Sequence, residues 1–278
     1  MGLTKAQATA RLQEITTADQ LRKLIRELDT TGTGTTTLLW SGAAGEHEIE
    51  TKTRIHAQDI AEGLQQSDSR IRTFATTEAG KFLNLDRTSK DFNQHLDGKL
   101  KSLFGSDQAV KEFLYGSSDP NTKKRIPNGV WDDVSKKFIS EAKGDVRLIV
   151  GGAGWDRIFA QTELRGLLDN PAITSIEGIP IDGLRQLEKS QGFNSVLRAL
   201  TAVSDVNAGM IRIRVDANGR PILGIDGKYS IDATDYMRMS QSSSPIPLGM
   251  RAMVDYIPRE RQLRHIQAID DIRRVNLS

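Results

Sequence analysis

DVRLIVGGAG, residues 145–154, decides how this chain is read. Four of its first six positions are apolar, and the run stops at Gly151–Gly152. A short apolar run of this kind suits a strand covered on both faces, as in a parallel sheet. Upstream, Val130–Lys143 carries the spacing of an amphipathic helix. Downstream, residues 158–168 read as a short helix and AITSIEGIPI (172–181) as a further strand. Alternation of helix and strand from 130 to 181 predicts a parallel α/β layer. TTLLW (36–40), running into Ser41–Gly42, predicts another buried strand.

Outward from that layer the pattern changes. Residues 4–28 repeat apolar side chains at helical spacing, and a capping box from Thr17 to Gln20 divides them into two helices. Residues 46–118 are polar and mostly helical, with breaks near Ser67–Ser69 and Gly116–Pro120. Leu184–Val206 predicts one or two helices, and residues 209–226 a hairpin turning at Asn218–Gly219. SQSSSPIP (240–247) reads as a linker or long loop before an Arg-rich amphipathic end. The expected fold class is therefore α/β: an N-terminal helical part, a small parallel sheet with flanking helices, and a C-terminal α+β extension. The expected divisions are 1–36, 37–182 and 183–278.

Composition removes several function classes. The 278 residues carry 38 basic and 36 acidic side chains, well mixed, so no nucleic-acid-binding face is expected. The basic run Lys123–Lys124–Arg125 reads as a solvated loop. No apolar run approaches the roughly 20 residues of a membrane span. The opening MGLTKAQATARLQEI has no apolar core, so no signal peptide is expected. There is no Cys, hence no disulfide, thiolate site or Cys nucleophile. The four His are scattered without ligand spacing, so no metal is expected. The expected location is the cytoplasm, or the cytosol of a target cell after delivery. No phosphate-loop or nucleophile-elbow motif is present, and the Gly32–Thr33–Gly34 run precedes a strand where a dinucleotide fingerprint would follow one.

What remains is a constellation at the strand ends. Trp40–Ser41 closes the first strand, and Gly151–Gly152 closes the next. VWDDVSKKF (130–138) sets Trp131 and Ser135 four apart, on one helix face. Glu163 lies between the glycines and the following strand. Taken singly, the two Trp read as core, Ser135 as a solvated helix serine, and Glu163 as a surface carboxylate paired with Arg165. Gly at 151–152 suits a tight turn as well as a phosphate contact.

Together, TLLWS (37–41), VWDDVSKKF, DVRLIVGGAG and FAQTEL (159–164) resemble the ADP-ribosyl cyclase/NAD glycohydrolase family, which includes a bacterial toxin; its animal members are tied by disulfides, and this chain, without Cys, resembles a disulfide-free, toxin-like member. The resemblance covers about 37–181. It implies Glu163 as catalytic carboxylate, with Trp131 and Ser135 beside it. Trp40, Ser41, Phe159, Gly151 and Gly152 would contact substrate, and Glu78 of TTEAG would be a second acidic residue at the carboxamide. It implies NAD as substrate without a cofactor, and a toxin or effector role with an immunity protein as partner. The chain departs from the family at Arg157–Ile158 and at Trp155, which has no counterpart. Glu46 and Glu48 of GEHEIE leave a mono-ADP-ribosyltransferase as alternative, and a non-enzymatic binding module as another. On this reading residues 183–278 are dispensable for the chemistry.

Overall fold

The computed structural model describes residues 2–41, 57–87, 91–150 and 156–208, with 212–213, 216–217, 222 and 231–232. The chain is mixed α/β, with ten α-helices and a five-stranded, mostly parallel sheet among the described residues. It begins with α1 (Lys5–Arg11) and α2 (Ala18–Arg26). Each opens on a capping box, Thr4 with Gln7 and Thr17 with Gln20, so the split at Thr17 is where the sequence placed it. Then come β1 (Thr36–Trp40), α3 (Ala57–Ser67), β2 (Ile71–Arg72), α4 (Glu78–Phe82), α5 (Gln94–Phe104) and α6 (Asp107–Tyr115). α7 (Val130–Ser140) leads into β3 (Gly144–Ile149). A π-helical turn, Phe159–Glu163, runs into α8 (Leu164–Asp169). β4 (Ile173–Ile176), β5 (Ile179–Pro180), α9 (Ile181–Gln191) and α10 (Phe193–Ala208) follow. A two-residue pair, β6 (Arg212–Ile213) with β7 (Ile231–Asp232), stands apart from the main sheet.

The strand order is β2–β1–β3–β4–β5. β1 runs parallel to β2 and β3, β3 parallel to β4, and only β5 is antiparallel. β1 and β3 are the central pair, buried along most of their length, which is why they read as apolar runs. Leaving β1, the chain first goes outward to β2 and later returns on the other side to β3. The order therefore reverses between β1 and β3, and the carboxyl ends of those strands form the crevice where open α/β sheets bind ligands. Register places Trp40 beside Ile149, and the Ser41 N–H donates to the Ile149 carbonyl at 3.0 Å.

Three sequence readings are corrected. The run 172–181 is two strands, because Glu177 (φ 53°) and Gly178 (φ 74°) form a tight turn that sends β5 back along β4. Residues 212–213 pair with 231–232, well beyond the hairpin expected at Asn218–Gly219; that dipeptide lies outside the described residues. The division at 182 cuts a shared core: Ile181, Leu184, Leu187, Val196, Leu200 and Val203 are buried in the same cluster as Val146, Leu148 and Leu21. The Ser204 hydroxyl even accepts from Val150 N–H and donates to the Leu148 carbonyl. The N-terminal helices join that cluster too, through Ala8, Leu12, Leu21, Leu24 and Ile25.

Candidate active site

α7 reaches β3 through the short turn Glu141–Lys143, so helix and strand run antiparallel. The first turns of α7 therefore sit toward the carboxyl end of β3, at the crevice. Two side chains three apart on that helix, Asp132 and Ser135, face the π-helical turn. The Asp132 carboxylate accepts from Gly129 N–H at 3.0 Å, closing the amino end of α7, and from the Thr162 hydroxyl. The Ser135 hydroxyl, 3 % exposed, donates to Glu163 Oε1 at 2.9 Å. Consecutive residues of the turn, Thr162 and Glu163, are thus both held by α7.

The turn itself is wide: Leu164 N–H donates to the Phe159 carbonyl, five residues back. Phe159 and Leu164 are fully buried and anchor it in the core. Single π turns inside helices are uncommon and are often found at functional sites. Nothing in FAQTEL announced it, since hydrophobic spacing does not separate α from π over five residues.

Glu163 keeps some accessible surface, but its carboxyl group lies deep among protein atoms. Burial is the largest influence and pushes it up from an ordinary 4.5 to about 7. The Ser135 hydrogen bond opposes that rise, and the Asp132 charge adds to it. Arg165 is not its partner: that guanidinium lies over the Phe193 ring, 4.1 Å from the centroid. A carboxyl group with this titration range, held by a single hydroxyl, is suited to stabilise a developing cation.

One turn before Ser135 on α7 stands Trp131, half-buried. Its ring packs against Phe74, centroids 5.1 Å apart and tilted by 58°, and lies within 5° of parallel to Tyr115 at 6.5 Å. At that separation the Tyr115 ring is offset, and it is 47 % exposed. The buried Trp131 indole N–H closes no hydrogen bond of ordinary geometry, though the Tyr115 hydroxyl is within its electrostatic reach. A buried donor left in this state asks for a reason, and a ligand acceptor at the site is one. Trp131→Ala is expected to do more than remove a stacking surface. Loss of the Phe74 contact should lower stability by about 2 kcal/mol, part of the cost of a core aromatic deletion, visible as a lower denaturant midpoint. Trp131→Phe should restore most of it.

The other expected residues fall out as follows. Trp40 and Ser41 sit at the carboxyl end of β1, the same edge of the sheet. Phe159 does not offer a lining surface: it is fully buried and serves as an anchor of the turn. Glu78 does not join the cluster. Its carboxylate accepts from Lys5 N–H at 2.7 Å, capping α1, and from Lys81 Nζ at 3.0 Å, contacts that hold it below the usual carboxylate range. Gly151, Gly152, Trp155 and the GEHEIE segment lie outside the described residues. Sequence reading missed Phe74, Tyr115, Thr162 and Asp132; of these only Asp132, three residues after Gly129, carried a helix-start signal. Arg125 was misread as solvated, and its side chain is 14 % exposed. Among the described residues no cluster of His, Asp and Glu is placed to hold a metal, and no helix is long and apolar enough to cross a membrane.

Comparison with protein-family models, characterised proteins and solved structures finds no match to this chain.

Proposed function

We propose that this chain cleaves the nicotinamide–ribose bond of NAD, giving nicotinamide and ADP-ribose, and a cyclic product where the adenine attacks in place of water. The observation that carries the reading is the hydrogen bond to a deeply placed Glu163 from Ser135, one turn of α7 from Trp131, at the strand-order reversal of the sheet. The bond to be broken joins an anomeric carbon to a cationic leaving group, so its departure leaves an oxocarbenium-like centre. The Glu163 carboxylate would stabilise that centre. An exposed ring face of the Trp131–Tyr115 aromatic pair would stack on the flat pyridinium, a favourable cation–π geometry. Trp40 and Ser41 would hold the remainder of the dinucleotide along the crevice. In a cell this activity is self-sufficient as a toxin, since it depletes NAD without a partner, and a producing cell would need an inhibitory partner.

The pH dependence follows from Glu163. The ionised form is the competent one, so kcat/KM should rise about tenfold per pH unit on the acid side and level near pH 7. Bound pyridinium favours the ionised carboxylate, so the corresponding limb of kcat should lie at lower pH. A kcat/KM profile flat from pH 5 to pH 8 would exclude Glu163 as the essential carboxylate.

Incubation with NAD alone tests the whole reading. Free nicotinamide without an acceptor protein supports it. Label transferred to an acceptor would point to the ADP-ribosyltransferase alternative, and no turnover of NAD to a binding module.

A further inference from the structure

The basic run at 123–125 ends in a residue that turns inward. The chain from Gly116 to Gly129 forms a strap whose base is closed backbone to backbone. A Cβ on Gly116 would meet the Ile126 carbonyl oxygen at 2.2 Å, and one on Gly129 the Gly116 nitrogen at 2.4 Å. Ser118 and Arg125 pair across the strap as an isolated bridge. From there the Arg125 side chain reaches three elements. Nε donates to the Tyr115 carbonyl at 2.6 Å, at the end of α6. Nη1 donates to Gln161 Oε1 at 2.9 Å, in the π-helical turn. Nη2 donates to the Asp132 carboxylate, in the first turn of α7. Asp132 in turn accepts from Thr162, the neighbour of Glu163.

We propose that Arg125 is a positioning residue, whose guanidinium fixes the Tyr115–Trp131 aromatic edge and the Glu163 turn against one another at the amino end of α7. This rests on the function proposed above for its catalytic consequence, though the clamp itself does not. The planar fork of Arg suits the task because it presents several donors in fixed directions; a Lys ammonium is a point charge on a flexible stem. The distance between the aromatic edge and the Glu163 carboxyl is what a substrate ring and its anomeric carbon must span. A misplacement of about 1 Å at such a site is worth roughly 100-fold in rate. The Asp132 charge, buried and adjacent to Glu163, is at the same time neutralised by Arg125.

Two variants of the full chain test it. Arg125→Lys keeps the charge and loses the fork. Arg125→Met with Asp132→Asn removes both charges, so no buried ion is left unpaired. In each, kcat with NAD should fall about 100-fold with KM changed far less. Amide hydrogen exchange in residues 156–169 should accelerate, with the rest of the core unaltered. A folded variant with wild-type kcat and wild-type exchange in 156–169 overturns the proposal. Failure of both variants to fold also overturns it, in favour of a purely structural role. If the wild-type protein releases no nicotinamide, the function reading fails by itself, and the clamp stands or falls on the exchange of 156–169.

Discussion

Glu163→Gln is expected to lose about two to three decades in kcat and, above neutral pH, to gain stability. The first effect is the removal of one preorganised charge from a cationic transition state, worth on the order of 3 kcal/mol. The second follows from linkage. The folded-state carboxyl titrates near 7, above its ordinary 4.5, so the folded chain binds the proton more tightly than the unfolded chain. Stability therefore falls as pH rises from about 4.5 to about 7, and falls no further beyond. The full difference corresponds to about 3 kcal/mol. Gln has no charge to bury and can keep a hydrogen bond with Ser135. Its Tm at pH 8 should exceed wild type by about 6–12 °C, and the gap should close by pH 4.5. Calorimetry at both pH values checks this, alongside nicotinamide release. A variant retaining more than about a tenth of the wild-type rate would sink the site assignment. Loss of rate with no stability gain at pH 8 would mean that the carboxyl is better solvated than its setting indicates.

Truncation after Asp182 is expected to abolish folding. The resemblance ends near that point, which made the remainder look dispensable, but the core does not end there. α9 and α10 contribute Leu184, Leu187, Val196, Leu200 and Val203, all buried against the sheet. Full burial of one such side chain is worth about 1.5–3 kcal/mol. Five of them amount to about 7.5–15 kcal/mol, as much as the whole stability of an ordinary domain, about 5–15 kcal/mol. The truncated chain would also expose the β3 face and strip Val150 N–H of its Ser204 acceptor. The expected outcome is insoluble or unfolded protein by circular dichroism. Truncation after Ala208, which retains α10, is the informative comparison. A soluble, cooperatively melting 1–182 fragment would show that α9 and α10 are an appendage.

The central strands and α7 were legible because each carries a local signature. β1 and β3 are short apolar runs stopped by Gly or Ser, and α7 has helical spacing ahead of a strand. The capping boxes at Thr4 and Thr17 are local hydrogen bonds between residues three apart, so they too are written in the sequence. β2 was not legible. It is two residues long, and its Arg72 is buried by distant partners: Nε donates to Thr37 Oγ1 at 3.0 Å, Nη1 to the Thr31 carbonyl at 2.6 Å, Nη2 to the Phe138 carbonyl at 3.2 Å. No window of sequence around an Ile-Arg pair contains those groups.

The same division runs through the candidate site. Residue types and order alone singled out Trp131, Ser135 and Glu163, because helical spacing puts the first two on one face and a family pattern supplies the third. Sequence by itself also left Glu163 open between a surface carboxylate paired with Arg165 and a site residue. Tertiary structure removes the pairing with Arg165: the π turn aims Glu163 at Ser135, while Arg165 goes to Phe193. It likewise took Glu78 away to cap α1 and turned Arg125 inward. The physical reason is common to all three. A charged side chain is placed by whichever partners its backbone can reach, and one partner of each, Ser135, Lys5 and Gln161, lies tens of residues away in the chain, whereas helix caps are set by neighbours within a few residues.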